Sequence, residues 1–146
     1  MSDNDELATR VRHLEDRAEL WDLVSRYAVA VDDEDYGTLA KLFVPEAEFV
    51  GLSGDTTSGR DHVIDYLRER ASTAHKQRVH TPTSQIVERL GDDEAAGLVC
   101  CYAALYGHDG SDSFFAFRYA DEYRREAGRW CFRRRRVHDV KHLPRV

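Results

Sequence analysis

The chain has 146 residues, of which 42% are hydrophobic and 33% charged, and its formal net charge is −6. This composition indicates one globular domain spanning residues 1–146, and an acidic chain is not expected to bind nucleic acid. No apolar run approaches the ~20 residues that a membrane-spanning helix needs, and the N-terminus lacks the pattern of a signal peptide, which predicts a cytoplasmic protein away from the membrane.

The N-terminal segment has the pattern of a long amphipathic helix. Apolar residues recur every three or four positions, which is the spacing of one helical face. They are Leu7, Val11, Leu14, Ala18, Trp21, Val24, Ala28 and Val31. Residues 16–19 (DRAE) have the form of a capping box, so we expect a break or kink near Glu15–Asp16 and a second segment from about 17 to 31.

Shorter elements are predicted between residues 35 and 71. Asp35 is a suitable N-cap for a helix over residues 36–43, which Pro45 prevents from continuing. Residues 47–52 are typical of a short strand, and a loop of turn-forming residues, 53–59, follows. Asp61 is expected to cap the next helix.

From about residue 78 the chain becomes strand-like. Four runs, at roughly 78–90, 94–108, 114–126 and 129–141, are separated by short turn-forming groups, as antiparallel hairpins require. This order predicts an α+β fold, with N-terminal helices packed on one face of a curved, mostly antiparallel sheet. Short helices cannot cover so long a sheet, so we expect an open cavity lined by aromatic residues, among them Trp21, Tyr102, Phe117 and Tyr119.

Neither the cysteines nor the arginines of the C-terminal half indicate a metal or nucleic-acid site. Cys100, Cys101 and Cys131 have no metal-ligand spacing, and free buried thiols are expected. The arginines at 133–136 alternate faces in a strand, so they do not form a single basic patch. Either Arg133 and Arg135 or Arg134 and Arg136 face inward, since a bulge would exchange the two sets. We expect no metal and no cofactor.

Tyr27, Asp32 and His80 supply a phenol, a carboxylate and an imidazole, which suffice for proton abstraction and return. Asp32 ends the long helix, where the helix dipole disfavours a negative charge, and unlike Asp35 it has no capping function. His80 opens the first long strand and would form a carboxylate–imidazole dyad if the fold brings it to Asp32. Each residue also has a structural interpretation: a solvated loop acid, a core aromatic and an isolated histidine.

Six segments, taken in order, carry a resemblance to a known family. They are 16–23 (DRAELWDL), 27–32 (YAVAVD), 39–47 (LAKLFVPEA), 59–64 (GRDHVI), 119–123 (YADEY) and 128–132 (GRWCF). Together they resemble the SnoaL-like group of the nuclear transport factor 2-like superfamily, from about Leu7 to His138. The resemblance implies a cone-shaped α+β barrel with a deep, largely apolar pocket, although members of this group differ widely in activity.

Within the group, the chain is most similar to the branch of scytalone dehydratase, bile-acid dehydratase and hexachlorocyclohexane dehydrochlorinase, which eliminate water or chloride with an Asp–His pair. The resemblance implies that Asp32 and His80 are this pair, that Tyr27 corresponds to the bile-acid dehydratase tyrosine, and that Arg135 corresponds to a pocket arginine. Scytalone dehydratase uses a further histidine on a middle strand, where this chain has Cys100-Cys101-Tyr102.

Two hypotheses follow from the residues and the resemblance. The first is a cofactor-independent lyase or isomerase acting on a small apolar molecule that contains a ring, with a polyketide cyclase as a related possibility. The second is a non-catalytic module for ligand binding or oligomerisation, like the small subunit of aromatic-ring dioxygenases. In both cases we expect a homodimer or homotrimer that forms through the sheet. The hypotheses differ in whether Asp32 and His80 meet inside a cavity.

Overall fold

Helices occupy the first half of the chain and long strands the second. The computed structural model describes residues 1–72 and 75–144, except for the side chains of residues 72, 75 and 76. The elements are α1 (Asp3–Asp32), α2 (Tyr36–Lys41), β1 (Phe43–Val50), β2 (Thr56–Ser58), α3 (Arg60–Ser72), β3 (His75–Leu90), β4 (Glu94–Gly107), β5 (Asp112–Glu126) and β6 (Arg129–Leu143). Strands β3 to β6 are the four predicted hairpin strands, each within a few residues of its expected ends.

The strands of the described residues form one mixed sheet in the order β2-β1-β6-β5-β4-β3. Neighbouring strands are antiparallel except β1 and β6, which are parallel. The predicted α+β class is confirmed, since the helices pack on a mostly antiparallel sheet. The sheet is not closed into a barrel, however, because β2 and β3 are its two edges.

Some of the element boundaries predicted from the sequence are correct, and others differ from those in the structure. Asp35 caps α2 as predicted, with Oδ1 accepting from the Thr38 N–H at 3.0 Å. Strand β1 begins before Pro45 rather than after it, and the irregular β1–β6 pairing between Phe43 and Glu48 tolerates a residue without an N–H. Helix α3 begins before Asp61, and the predicted 53–59 loop contains the short strand β2.

Helix α1 is continuous from Asp3 to Asp32, so the predicted kink at Asp16 is wrong. The capping box lies instead at the true start of the helix, where the Ser2 hydroxyl accepts from the Asp5 N–H at 3.2 Å. Asp16 is buried, and its Oδ1 accepts from Arg125 Nη2 at 2.7 Å and from Trp130 Nε1 at 2.9 Å. Hydrogen bonds to residues far away in the chain therefore account for Asp16, which the local sequence pattern had indicated as a helix cap.

A bulge in β6 decides which of the four consecutive arginines faces inward. Tyr123 pairs with Phe132, but the preceding Glu122 pairs with Arg134, so Arg133 is the additional residue. Phe132 and Arg135 therefore both face the core. Arg133 forms an ion pair with Glu122 on the outer side of the sheet.

The core lies between the helices and the concave face of the sheet. It combines aliphatic residues of α1 and α3 with aromatic residues of α1, β1, β5 and β6; the aromatic members are Tyr27, Phe43, Phe49, Tyr119, Tyr123, Trp130 and Phe132. The three cysteines are free, as predicted; Cys101 and Cys131 are also buried, whereas Cys100 is only half-buried. None of the described helices combines the length and apolar character needed to cross a membrane.

Candidate active site

A cavity of about 360 Å³ opens between α1, α3 and the concave face of the sheet, a volume that suits a small organic ligand. Most of its lining is apolar or aromatic. The lining residues are Tyr27, Val31, Phe49, Gly51, Leu52, Tyr66, Leu67, Arg70, Arg78, His80, Ala103, Leu105, Phe115, Phe117, Tyr119, Val137 and Val140.

The strand register arranges the inward-facing residues in successive rows from the buried end to the mouth. Tyr119, opposite Val137, is at the buried end and is only 4% exposed. His80, opposite Ala103, is in the middle. Arg78 precedes His80 by two residues and lies one row nearer the mouth. The cavity is thus apolar at depth and becomes cationic toward its opening.

Asp32 and His80 are hydrogen-bonded at the side of this cavity. His80 Nδ1 is 2.6 Å from Asp32 Oδ1, and the backbone N–H of His80 donates to Asp32 Oδ2 at 2.8 Å. Since an ionised carboxylate only accepts hydrogen bonds, the neutral imidazole carries its proton on Nδ1, and its Nε2 is left as an acceptor. His80 lines the cavity and is in edge contact with Phe117, while Asp32 lies behind it.

Tyr27 and Tyr119 place two phenol groups at the buried end of the cavity, with their rings edge to face at 6.0 Å. Burial raises the pKa of Tyr27 to about 12, although Arg135 opposes the shift. Burial also raises the pKa of Tyr119 well above its ordinary value. Both groups therefore remain neutral hydroxyls near neutral pH; the Tyr119 hydroxyl is hydrogen-bonded to that of Tyr27, which leaves the Tyr27 O–H as the donor for a ligand.

Arg135 lies behind the cavity wall, which corrects the prediction that it is a pocket residue. Its Nε and Nη2 donate to Asp121 at 2.9 and 3.1 Å, and both side chains are fully buried. The guanidinium carbon lies 4.3 Å from the ring centroid of Tyr27 and 3.6 Å from that of Tyr119. Arg135 therefore contacts the site through the rings of these two tyrosines.

Two of the predicted lining residues, Trp21 and Tyr102, lie outside the cavity. Trp21 is 39% exposed on the face of α1 that points away from the sheet, because this helix has apolar residues on both faces. Tyr102 is 50% exposed on the outer face of β4, since strand alternation turns Cys101 and Ala103 inward. Phe117 and Tyr119 do line the cavity.

Sequence reasoning missed two cationic residues of the lining, Arg70 and Arg78. Arg78 is at position i−2 from His80 on β3, so the strand period could have placed both on one face. Its Nη2 donates to the Val31 carbonyl at 3.0 Å. Arg70 is in the last turn of α3, and only the packing of that helix brings it to the mouth. Among residues 1–72 and 75–144, no group of three or more His, Cys, Asp or Glu side chains could hold a metal ion.

Comparisons with known proteins agree with this architecture. Residues 12–136 match the family model of the SnoaL-like domain. Hexachlorocyclohexane dehydrochlorinase 1 of Sphingobium indicum is 29% identical over 133 residues, covering 89% of this chain and 80% of the relative. The crystal structure of LinA has a TM-score of 0.78 and 26% identity, covering 100% of this chain and 97% of that one. A scytalone dehydratase-like protein from Novosphingobium aromaticivorans shares the fold, with a TM-score of 0.80, 18% identity and coverage of 92% and 91%.

Proposed function

Because this chain belongs to the SnoaL-like domain family, we propose that it is a cofactor-independent lyase that eliminates a small leaving group from a compound with an apolar ring. The observation that carries the proposal is the hydrogen-bonded Asp32–His80 pair on the wall of a mostly apolar cavity. The similarity to a dehydrochlorinase favours elimination over other reactions that use an enzymatic base.

In this mechanism His80 is the base and Asp32 orients it. Nε2 of His80 removes a proton from a ring carbon, the C–H electron pair forms a carbon–carbon double bond, and the leaving group departs with its bonding electrons. Asp32 holds the imidazole in the tautomer that leaves Nε2 free, and its negative charge stabilises the imidazolium that forms. For a substrate without a leaving group, the imidazolium would return the proton to a different carbon, which is an isomerisation.

Tyr27 is the proposed donor to the departing or enolising oxygen or chloride. Its hydroxyl is neutral and lies at the buried end, where few water molecules compete for the hydrogen bond. In such a low-dielectric site, a fixed donor stabilises developing negative charge more strongly than it would in water. Arg135 is a positioning residue, since it contacts the rings of Tyr27 and Tyr119 rather than the substrate.

The proposal is tested with Asp32→Asn, which is close in shape but cannot stabilise an imidazolium. Cyclic chlorides such as hexachlorocyclohexane and cyclic β-hydroxyketones are screened for release of chloride or water. With any substrate found, we expect kcat to fall by about 10²-fold or more and the circular dichroism spectrum to stay unchanged. Asp33→Asn, an exposed neighbour, is the matched control and should retain full activity.

Undiminished turnover by Asp32→Asn would exclude this mechanism. If ligands bind in the cavity but none of the screened classes is converted, the result favours the non-catalytic module of the same fold. A product with a new carbon–carbon bond would instead indicate a polyketide cyclase, which could use the same base.

A further inference from the structure

The charges around the cavity are distributed unevenly for a chain whose net charge is −6. Among the described residues, the lining contains Arg70, Arg78 and His80 but no carboxylate. We propose that the ligand joins its apolar ring system to a carboxylate, and that Arg70 and Arg78 bind this group at the mouth. This inference names the substrate class of the proposed lyase, and it rests on that function only for the location of the site.

Arg78 is the better-defined half of the proposed carboxylate site. Its side chain is only 11% exposed, and Nη2 is directed to the Val31 carbonyl. The nearest carboxylate, that of Glu34, is 3.7 Å away and 56% exposed, which makes the ion pair weak. A guanidinium removed from water is stable only when its charge is compensated, and this one is compensated incompletely. A ligand carboxylate would supply the missing charge and accept from the remaining N–H groups.

Arg70 approaches the mouth from the opposite wall. It lies in the last turn of α3, where the helix dipole favours a cation in any case. Its guanidinium carbon is 5.9 Å from the centroid of the Tyr66 ring, which also lines the cavity. Within residues 1–72 and 75–144, no ion pair is formed by Arg70, so its charge is available to a ligand.

The register fixes the orientation that such a ligand would adopt. Arg78 and His80 are two residues apart on one face of β3, which is roughly 7 Å along the strand. A carboxylate at Arg78 therefore places ring carbons beside His80 Nε2. The far edge of the ring then reaches the aromatic end formed by Tyr27 and Tyr119. The reverse orientation would separate the carboxylate from Arg70 and Arg78 and remove it from water altogether, which carries the larger desolvation cost.

Naphthalene-2-carboxylate and naphthalene-2-carboxamide are matched probes, because they differ in charge and hardly in shape. By isothermal titration calorimetry, we expect the wild-type protein to bind the carboxylate about tenfold more tightly than the amide. Arg70→Met and Arg78→Met should each reduce this preference, and the double variant should lose it. Arg136→Met, at an exposed position on the outer side of β6, is the control and should keep it. Added salt should weaken binding of the carboxylate only.

Equal affinity for the two probes in the wild type would overturn the inference, as would a preference that survives in the double variant. Arg78→Met removes a hydrogen bond to Val31 and could lower stability, so the exposed Arg70→Met is the variant that decides in that case. Neither the binding preference of the wild type nor its loss in the arginine variants depends on catalytic turnover. A protein that prefers the carboxylate but performs no elimination would therefore exclude the proposed function and leave this inference intact.

A second inference comes from the outer face of α1. Leu7, Val11, Leu14, Ala18 and Trp21 form an exposed stripe, which we call the outer stripe; its four large side chains are each at least 39% exposed. Their spacing of four, three, four and three is that of the a and d positions of a coiled coil. Ala18 and Trp21 lie opposite the face that packs on the sheet, and before Asp16 the helix is exposed almost all round, so no described residue covers the stripe.

The charged residues on either side of the outer stripe are complementary to those of a second, parallel copy of α1. Arg10 and Arg17 flank one side, and Glu15 and Asp22 flank the other. When two such helices run parallel and in register, each residue at position g lies beside the residue five positions later on the other helix. Arg10 then meets Glu15 of the partner subunit, and Arg17 meets Asp22 of the partner subunit. We infer that α1 pairs in parallel with α1 of a second copy.

The geometry allows this pairing without rearrangement. The two cores would lie on opposite sides of the helix pair, so they would not collide. Residues 16–32 of α1 pack on the sheet, and the N-terminal half extends the same continuous helix, so association carries no cost of helix nucleation. The stripe spans only two heptads, and Asp22 also pairs with Arg26 of its own helix, so we expect a weak dimer that depends on concentration.

Sedimentation velocity across a range of protein concentrations tests the helix pair against the sheet interface expected from the sequence. Leu14→Glu places a charge in the outer stripe and should yield monomers at all concentrations. Ile86→Glu alters a residue of similar exposure on the outer face of β3 and should dimerise like the wild type. The opposite pattern would overturn the inference in favour of the sheet, and a wild type that stays monomeric would overturn both.

Register and charge pairing are tested separately. Ala18→Cys should form a disulfide-linked dimer under mild oxidation, and so should Val11→Cys, because a parallel, in-register pair brings the two copies of both positions together, whereas an antiparallel pair can do so for one position at most. Arg10→Glu should weaken the dimer, and the double variant Arg10→Glu with Glu15→Arg should restore it. A double variant that is no stronger than the single one would rule out the proposed charge pairing.

Discussion

Arg135 and Asp121 form an ion pair that has no contact with water, so each group depends on the other. In Arg135→Met, the carboxylate of Asp121 would remain buried with the Tyr123 hydroxyl as its donor. We therefore expect the free energy of unfolding to fall by about 3–5 kcal/mol, as measured by urea denaturation. The double variant Arg135→Met with Asp121→Asn should recover a large part of this loss, because no buried charge remains.

The same variant has a predictable pH dependence. Burial raises the pKa of Asp121 above its ordinary value of 3.8, and Arg135 opposes the shift. Without the arginine, the folded-state pKa rises further, and a raised carboxyl pKa destabilises the fold as pH rises above 3.8. The deficit of Arg135→Met relative to the wild type should thus be larger at pH 7 than at pH 4. A deficit that does not vary with pH would contradict this explanation.

At single positions, the sequence was informative where neighbours in the chain decide the structure. Asp35 caps α2 because its acceptor and the Thr38 N–H are three residues apart. Trp21 was misplaced because α1 is apolar on two faces, and periodicity alone does not distinguish the face that packs from the outer stripe. The direction of Arg135 depends on the bulge at Arg133, which the sequence does not mark.

At the scale of elements, Asp16 links the middle of α1 to the turn of the β5–β6 hairpin through its hydrogen bonds with Arg125 and Trp130. Asp16→Ala would leave the Trp130 indole N–H and one Arg125 donor without their acceptor. We expect a loss of about 2–3 kcal/mol in unfolding free energy. Asp22→Ala is the matched control on the same helix; it removes an exposed ion pair with Arg26 and should cost less than about 0.5 kcal/mol.

Lowering the pH should reveal how much the ionised Asp16 contributes to the stability of the wild type. Burial raises the pKa of this carboxyl, but hydrogen bonds from Trp130 and Arg125 outweigh burial and hold the pKa below 3.8. A lowered carboxyl pKa contributes stability that is present above 3.8 and is lost as pH falls below that value. Between pH 4.5 and 2.5, the stability of Asp16→Asn should decline less steeply than that of the wild type. Parallel declines would indicate that Asp16 does not titrate with unfolding.

The elements themselves were predicted well where turns punctuate the chain. Strands β3 to β6 are joined by short connections whose Gly and Asp residues are visible in the sequence. The kink at Asp16 was wrong because the partners of this residue lie 109 and 114 positions away. The parallel pairing of β1 with β6 is equally non-local, and no short motif predicts it.

At the scale of the whole molecule, the cavity is apolar surface that the core leaves unfilled. Ala103→Leu would project additional methyl groups into it from β4, beside His80 on the same face of the sheet. We expect this variant to be about 0.5–1 kcal/mol more stable than the wild type in urea denaturation, since filling a void adds packing contacts. The same change should weaken binding of naphthalene-2-carboxylate by about tenfold or more.

Ala104→Leu is the control, because strand alternation turns the neighbouring residue to the outer face of β4. It should leave ligand affinity unchanged. Equal effects of the two variants on affinity would mean that the ligand does not occupy this cavity.

The fold class and the existence of an open cavity followed from the order of helices and strands. The cationic mouth did not follow in full, because Arg70 reaches the cavity only through the packing of α3.

The run of four arginines in β6 would preserve the ion pair with Asp121 even if the strand shifted its register by one residue. A one-residue slip in register normally exchanges every inner side chain for its neighbour. Here, a slip in either direction would replace Arg135 with Arg134 or Arg136, and a guanidinium would still face Asp121. Phe132 and Val137 have no such duplicates, so the apolar neighbours must enforce the native register. Over evolutionary time, a bulge here could appear or vanish without leaving the buried carboxylate unpaired.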